Sequence, residues 1–119
     1  MNRIFVVSTA VVPPGFKGGL LVLLLPPEEV KELVREAMLE QVEHGTVRVI
    51  SACGHEATAQ FLGVEVSRRE ISGSNLTYRD RLVGVRPLRR PTPGEELPFT
   101  VGGFEGFVLS PLQPSEINV

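Results

Sequence analysis

The sequence contains no tryptophan, one cysteine, one tyrosine and two histidines. A single cysteine cannot form an internal disulfide, and it fits a protein of a reducing compartment, so we expect a cytoplasmic location. The histidines at 44 and 55 and the cysteine at 53 complete no known zinc pattern, and we expect neither a metal nor another cofactor. Aromatic residues make up only 6% of the chain, which argues against stacking along a long nucleic-acid strand.

Strong net charge and long hydrophobic runs are also missing. The net charge is −2 with 22% charged and 42% hydrophobic residues, the balance of an ordinary globular protein. Residues 1–119 therefore predict a single domain. The run IFVVSTAVV after Arg3 resembles a short signal peptide, but its β-branched residues favour a buried strand. The run LLVLLL at 20–25 is too short to span a membrane, so no membrane partner is expected.

The pattern along the chain alternates between strands and helices. Apolar periodicity predicts helices over 27–43 and 55–62, with Pro27 starting the first and Gly63 ending the second. The Pro-rich and polar residues 110–119 predict a flexible tail. This alternation predicts an α/β fold with a mixed β-sheet flanked by helices. The predicted strands lie at 4–12, within 16–25, at 47–50, 64–71 and 81–88, and at 105–109.

The segment Val47–Gly63 is the one around which the chain is organised. Small residues 51–54 allow a sharp turn between its strand and its helix, and they place His55 at the helix N-terminus. Free N–H groups at such a terminus favour an anion, and a histidine there can donate a proton to it. The alternative is that His55 only caps the helix or fills a polar pocket.

Two other interpretations of the same turn are a zinc site at His55 and a thiol nucleophile at Cys53. The sequence from His55 to Ala59 begins like a zinc-protease helix, but Ala59 stands where the second metal ligand is needed. Cys53 is either a thiol nucleophile or a small buried residue, and we expect the buried residue.

Seven of the twelve basic residues lie between 68 and 90, and all seven are arginines. Arginine suits bidentate contact with phosphate, so one interpretation is a phosphate-binding wall beside His55. The other is a pair of solvated strands with charged edges. A small phosphate ligand fits this chain better than a polymer. The seven arginines are at positions 68, 69, 79, 81, 86, 89 and 90.

The run SACGHEATAQ at 51–60, followed by LGVEV at 62–66, resembles the signature of the viral ring-nuclease anti-CRISPR family. That family was first met as small proteins of archaeal viruses and has bacterial and CRISPR-associated relatives. Further similarity covers the strand from Phe5, with Ser8-Thr9 at its end, the Arg68-Arg69 pair and the segment from Asp80 to Gly94. About three quarters of the chain is covered.

The resemblance implies a homodimeric α/β protein that binds cyclic tetra-adenylate, the second messenger of type III CRISPR immunity. Family members linearise this ring without metal, by attack of a ribose 2′-OH on its own 3′-phosphodiester. By position, His55 matches the general acid and Arg90 the phosphate-stabilising arginine. The ligand contacts implied by the resemblance are Ser8, Thr9, Gly54, Thr58, Arg68 and Arg69.

The sequence departs from the family at the catalytic carboxylate. The family glutamate falls on Pro93 in an ungapped alignment, so Glu95 or Glu96 is the expected substitute. Two other functions therefore stay open. One is a module that binds and sequesters a cyclic oligonucleotide without cleaving it. The other is a dimer that binds a host protein.

Overall fold

The computed structural model describes residues 2–100 and 102–112. Within these residues the chain forms an α/β domain with five strands and two α-helices. The strands are β1 (Asn2–Val7), β2 (Leu20–Leu25), β3 (Val47–Ala52), β4 (Asp80–Pro87) and β5 (Phe104–Pro111). The helices are α1 (Pro27–Glu43) and α2 (Glu56–Leu62), with a short 3₁₀ turn at Gly73–Asn75.

The five strands form one mixed sheet in the order β2-β5-β4-β1-β3. Strand β1 pairs parallel with both β3 and β4, whereas β5 runs antiparallel to β4 and to β2. The carboxyl ends of β1, β3 and β4 therefore lie along one edge of the sheet. Loops that follow parallel strands meet at such an edge, which is where α/β sheets usually bind ligands.

Both faces of the central strands are covered, whereas the edge strand β2 is exposed. Helix α1 packs Val30, Val34 and Ala37 against one face, as its apolar spacing predicted. Gly106 permits this close packing, because a Cβ there would lie 2.4 Å from a methyl carbon of Val30. The other face carries a second apolar cluster around Phe107, covered by the segments before β2 and before β4.

Several sequence-based boundaries were wrong. Strand β1 ends at Val7 rather than at residue 12, because the chain turns away to the 3₁₀ turn, where Gly73 N donates to Pro14 O at 2.8 Å. Residues 64–71 are not a strand. After the left-handed Gly63 cap they run past the edge of the sheet, where Ser67 N donates to Cys53 O at 2.9 Å but no ladder forms.

The two ends of the later strands also differ from expectation. Ser110 and Pro111 belong to β5 instead of a flexible tail, while residues 113–119 lie outside the described part of the chain. Strand β4 covers 80–87 rather than 81–88, and Pro87 ends this central strand, beyond the last residue that pairs with β1.

The amino ends of β1 and β4 are joined by an ion pair between the buried carboxylate of Asp80 and the partly exposed Arg3. The Arg3 guanidinium donates to both carboxylate oxygens of Asp80, at 2.9 and 2.7 Å, and Thr77 N donates to the same carboxylate at 2.9 Å. Burial of the carboxyl raises the pKa of Asp80, but these bonds more than offset that effect and the pKa lies below its usual value. The pair fixes the end of the sheet opposite the carboxyl edge.

Candidate functional site

A cleft of about 510 Å³ opens at the carboxyl edge of the sheet, and we call it the His55 cleft. Ser8 and Thr9 reach it from the end of β1, and His55 and Thr58 from the start of α2. The segment between β4 and β5 closes the other side. Twelve residues line the cleft: Ser8, Thr9, His55, Ala57, Thr58, Pro87, Pro91, Glu95, Glu96, Leu97, Phe99 and Phe104.

His55 is the N-cap residue of α2, and its side chain makes the cap. Its Nδ1 accepts from the backbone N–H of Thr58 at 3.2 Å and lies 2.9 Å from the Thr58 hydroxyl. The imidazole is therefore held through Nδ1, and Nε2 has no hydrogen-bond partner among the residues that the structure describes. Thr58 itself is only 2% exposed, so it is a fixed support for the ring. The sequence missed this role of Thr58, although the spacing of three residues is that of a capping pair.

The expected anion site at the helix N-terminus is reduced by the same contact. Helix α2 has seven residues, and the Thr58 N–H that would face an anion already bonds to His55. The partial charge of so short a helix adds little. An anionic ligand at this edge would therefore be held mainly by side chains.

Cys53 is fully buried beneath the turn, as expected for a small core residue. Its Sγ lies 3.5 Å from the carbonyl oxygen of His55. Burial raises the pKa of the Cys53 thiol, against smaller opposing effects of the His55 carbonyl and the Ser8 hydroxyl. The thiol is thus protonated and unsuited to nucleophilic attack. In the described residues, no group of three or more His, Cys, Asp or Glu side chains is arranged to hold a metal ion.

The two candidate glutamates differ in what they contact. Glu95 accepts from Arg89 at 2.9 and 2.5 Å and from Thr92 N at 3.0 Å. The hydrogen bonds from Arg89, with those from Thr92, lower the pKa of Glu95 to about 2, so it is a weak base. Glu96 is an exposed residue that lines the same cleft. Glu95 therefore helps to hold the turn around Pro93, whereas the Glu96 side chain lies exposed at the cleft.

A second hollow of about 600 Å³, which we call the Arg69 hollow, adjoins the cleft. Ser8 and Thr9 line both spaces, and Arg69 lines only the second. Arg68 lies at the turn itself, since a Cβ on Gly54 would be 3.5 Å from Arg68 Cγ. The predicted contact residues at 8, 9, 54, 58, 68 and 69 therefore come together around the carboxyl edge.

The arginine block does not form one wall. Arg79 and Arg81 lie at the amino end of β4, where Arg81 donates to the Tyr78 and Asp80 carbonyl oxygens. Arg86 pairs with Glu105 at 2.8 Å, and Arg89 pairs with Glu95. The ends of an eight-residue strand are about 25 Å apart, so Arg79 and Arg81 cannot share one small ligand with His55. Arg68, Arg69 and Arg90 are left, and Arg90 is exposed beside Pro91 at the cleft.

An aromatic stack that the sequence did not suggest forms one wall of the His55 cleft. Phe99 stacks on Phe61 with ring centroids 4.7 Å apart and on Phe104 at 4.3 Å. Phe61 belongs to α2 and Phe104 to β5, so the stack ties the segment between β4 and β5 to the helix that carries His55. The only sequence signal was the concentration of scarce phenylalanines in these segments.

Comparison of the sequence with protein-family profiles and with curated proteins gives no match. Comparison of structures gives a similar fold in B116 of Sulfolobus turreted icosahedral virus, with a TM-score of 0.59. The two chains are 15% identical, and the similarity covers 91% of this chain and 98% of B116. At this identity the likeness concerns the fold, which is thus shared with a small protein of an archaeal virus. In the described residues, neither helix is long and apolar enough to cross a membrane.

Proposed function

We propose that the protein is a ring nuclease that linearises cyclic tetra-adenylate and so switches off type III CRISPR signalling. In this reaction a ribose 2′-oxygen attacks the adjacent phosphorus and forms a new P–O bond. The bond from phosphorus to the 5′-oxygen breaks, which leaves a 2′,3′-cyclic phosphate and a 5′-hydroxyl. The 2′-OH loses a proton and the leaving 5′-oxygen gains one, so the reaction needs a proton acceptor and a proton donor but no water.

The observation that carries the proposal is the fixed imidazole of His55 in a cleft that also holds a carboxylate. Nδ1 is tied to Thr58, and Glu96 lines the same cleft. A proton donor and a proton acceptor on one small site are what an internal phosphodiester transfer requires. The spaces on either side of Ser8 and Thr9, about 510 and 600 Å³, are each of the size that holds a nucleotide-sized ligand.

Thr58 supports both protonation states of the ring. In neutral His55, Nδ1 accepts from the Thr58 amide and hydroxyl. In the imidazolium, Nδ1–H cannot accept, but it can donate to Thr58 Oγ1, which already lies 2.9 Å away. Nε2–H is then free to protonate the leaving 5′-oxygen. Thr58 is therefore a positioning residue that lets His55 change its charge without leaving its rotamer.

In this proposal, arginines stabilise the negative charge that develops on the phosphate. Arg68 lies over Gly54, Arg69 lines the neighbouring hollow, and Arg90 stands beside Pro91 at the cleft. Each charged hydrogen bond to phosphate contributes about 1.5–3 kcal/mol. We expect one phosphate of the ring at the His55 cleft and another at the Arg69 hollow, because Ser8 and Thr9 lie between the two spaces.

A ring of four nucleotides has two-fold symmetry that a homodimer matches. Two copies whose carboxyl edges face each other across the ligand would each supply one His55 and one set of arginines. Two observations support this function. Residues 51–60 resemble the ring-nuclease signature, and the fold is shared with an archaeal-virus protein.

The test is to incubate the purified protein with cyclic tetra-adenylate and, separately, cyclic hexa-adenylate in excess EDTA. We expect linear products with 2′,3′-cyclic phosphate ends from the tetramer, at a rate that EDTA leaves unchanged. A His55→Asn variant is the matched control, since asparagine caps a helix but donates no proton of this kind. Intact rings after hours with the wild type would refute the nuclease.

The second candidate is a module that binds the same ring without cleaving it. The ion pair between Glu95 and Arg89 favours this module. It leaves only one of the two carboxylates near the position of the family glutamate available as a proton acceptor. Tight binding of the ring without product formation would identify this function. Absence of binding to either ring would instead favour the host-protein-binding dimer.

A further inference from the structure

A hollow of about 440 Å³ lies at the amino end of the sheet, and we call it the Arg81 hollow. The starts of β1 and β3 and the loop that leads into β4 form its walls. The His55 cleft lies at the other end of the same strands, about 20 Å away along β1, so a small ligand here would not contact His55. None of the lining residues is acidic. They are Asn2, Arg3, Ile4, Val47, Tyr78, Arg79 and Arg81.

The three arginines of this hollow come from different sides of the sheet. Arg3 lies on the same face as Phe5, and its guanidinium is 5.2 Å from the centroid of that ring. Leu82 packs in the apolar cluster of Phe5, so Arg81, one residue earlier in β4, lies on the opposite face. Arg79 comes from the loop before β4. The arginines therefore flank the start of β1 from both faces.

Each of these guanidinium groups is already held in place from one side. Arg3 donates to Asp80 through Nε and Nη2. Arg81 Nη1 donates to the carbonyl oxygens of Tyr78 and Asp80, at 2.7 and 2.8 Å. Arg79 Nε donates to the Tyr78 hydroxyl at 3.2 Å, and the guanidinium lies 5.5 Å from the centroid of the Tyr78 ring. The other terminal nitrogens make no hydrogen bond within the described part of the chain, so they are available to a ligand at a small cost in side-chain entropy.

The positive charge of the hollow is only partly neutralised. The carboxylate in contact with these arginines is that of Asp80, which is 1% exposed and bonded to Arg3. Arg79 and Arg81 form no ion pair with any residue that the structure describes, whereas the paired arginines elsewhere each contact a glutamate. Three arginines and one aspartate leave a net charge of +2 on a protein whose total is −2. A local excess of this sign attracts anions.

We propose that the Arg81 hollow binds a small ligand with a chain of phosphates, such as a nucleoside triphosphate or inorganic tripolyphosphate. Guanidinium N–H groups match phosphate oxygens in geometry and charge. Donors that approach from three directions suit several linked phosphates better than a single one. The volume of the hollow is in the range of small-molecule sites. The half-exposed ring of Tyr78, with Ile4 and Val47, also offers apolar surface for the base of a nucleotide.

A nucleic-acid polymer fits this surface less well than a small ligand. A polymer is held by positive charge that continues along the protein surface. Along β4 the charge does not continue, because Arg86 is paired with Glu105 and Arg89 with Glu95. The positive charge is therefore concentrated at one end of the sheet, which favours a compact anion.

The test is isothermal titration of the protein with inorganic phosphate, tripolyphosphate and ATP, in low-salt buffer with EDTA to exclude metal-bound phosphate. We expect both triphosphates to bind, inorganic phosphate to bind far more weakly, and added salt to weaken all three. Tighter binding of ATP than of tripolyphosphate would identify a nucleotide as the ligand. Equal affinities would show that the phosphate chain alone is recognised.

Three variants test the position of the site. Arg79→Gln and Arg81→Gln should each weaken tripolyphosphate binding roughly tenfold or more. Arg48→Gln is the matched control, because it removes the same charge beside Arg3 in the register of β3 with β1, but Arg48 does not line the hollow. We expect the control to bind almost as well as the wild type. Melting curves check the fold, and Arg79→Gln is the milder change since Arg79 contacts only an exposed tyrosine.

Four outcomes would overturn the proposal. They are absence of triphosphate binding by the wild type at millimolar concentration, binding that Arg79→Gln and Arg81→Gln leave unchanged, equal weakening by Arg48→Gln and Arg79→Gln, and much tighter binding of a long DNA duplex that the same variants abolish. The second would place the ligand elsewhere, the third would show diffuse attraction, and the fourth would indicate a polymer. Ring cleavage by Arg79→Gln should equal that of the wild type, so failure of the nuclease and failure of this site are seen separately.

Discussion

The sharpest prediction concerns the double role of His55. The side chain both caps α2 through Nδ1 and, in the proposed reaction, gives a proton to the leaving oxygen. Replacement by alanine removes both functions at once. Replacement by asparagine keeps a good cap and removes only the proton donor. The two variants therefore separate the structural role from the catalytic one.

The loss of stability follows from the contacts. In His55→Ala the amide and hydroxyl of the nearly buried Thr58 both lose a partner. The loss of an N-cap costs about 0.5–2 kcal/mol. For a chain of this length, each kcal/mol lowers the melting temperature by roughly 2–8 °C. We expect His55→Asn to recover most of this loss, since the asparagine oxygen can accept from the same amide.

The rate should behave differently. Both variants are expected to lose about 10²–10⁴-fold in single-turnover cleavage and to bind the ring within a few-fold of the wild type. Melting curves and single-turnover rates at saturating ring give the two readouts. Wild-type cleavage by His55→Asn would refute the acid role and leave His55 as a cap. Recovery of the rate in parallel with recovery of stability would show that the alanine variant failed only through its fold.

Three further predictions address other parts of the molecule. Arg90→Ala should weaken ring binding by about 1.5–3 kcal/mol, whereas Arg79→Ala at the far end of β4 should not; equal affinities for both would remove Arg90 from the site. Glu96→Gln should slow cleavage without changing the melting temperature, and a normal rate would exclude it as the proton acceptor. The pKa of Asp80 is held below its usual value, so its contribution to stability is present above about pH 4 and is lost as the pH falls further. Asp80→Asn should lower the free energy of unfolding by on the order of 3 kcal/mol at pH 7. Denaturant titrations at several pH values should show a weaker acid dependence for this variant than for the wild type.

Local sequence signals correctly predicted those elements whose bounds are set by residues close together in the chain. Helix α1 begins at Pro27 and ends at Glu43 as expected, because proline at the start and the apolar spacing need no tertiary information. The position of His55 at the start of α2 and the Gly63 cap were also predicted correctly, since both act within a few residues, whereas the turn is shorter than predicted because Ser51 and Ala52 belong to β3. The ends of the strands were predicted less well, because they depend on pairing with other strands. Nothing in the run from Val7 to Val12 says where the neighbouring strands stop.

The sequence also overestimated the arginine block. Seven arginines within 23 residues suggested one phosphate-binding surface, but that segment includes the extended strand β4, which places Arg79 and Arg81 at the opposite end of the sheet from Arg90. Pairing partners such as Glu95 and Glu105 come from distant or folded-back segments, and they occupy two of the arginines. Clustering along a chain is not clustering in space when the chain is extended.

By itself, the sequence determined an α/β domain, the helix over 27–43, a strand–turn–helix with a histidine at its hinge, and a buried cysteine. These follow from periodicity, small residues and caps, which act over short distances along the chain. Only the tertiary structure decided which arginines share an edge with His55, that Glu95 is paired with Arg89 whereas Glu96 is exposed at the cleft, and that β2 lies at the edge of the sheet formed by the described strands. Those outcomes depend on the order and direction of the strands, and contacts between residues far apart in the chain set both.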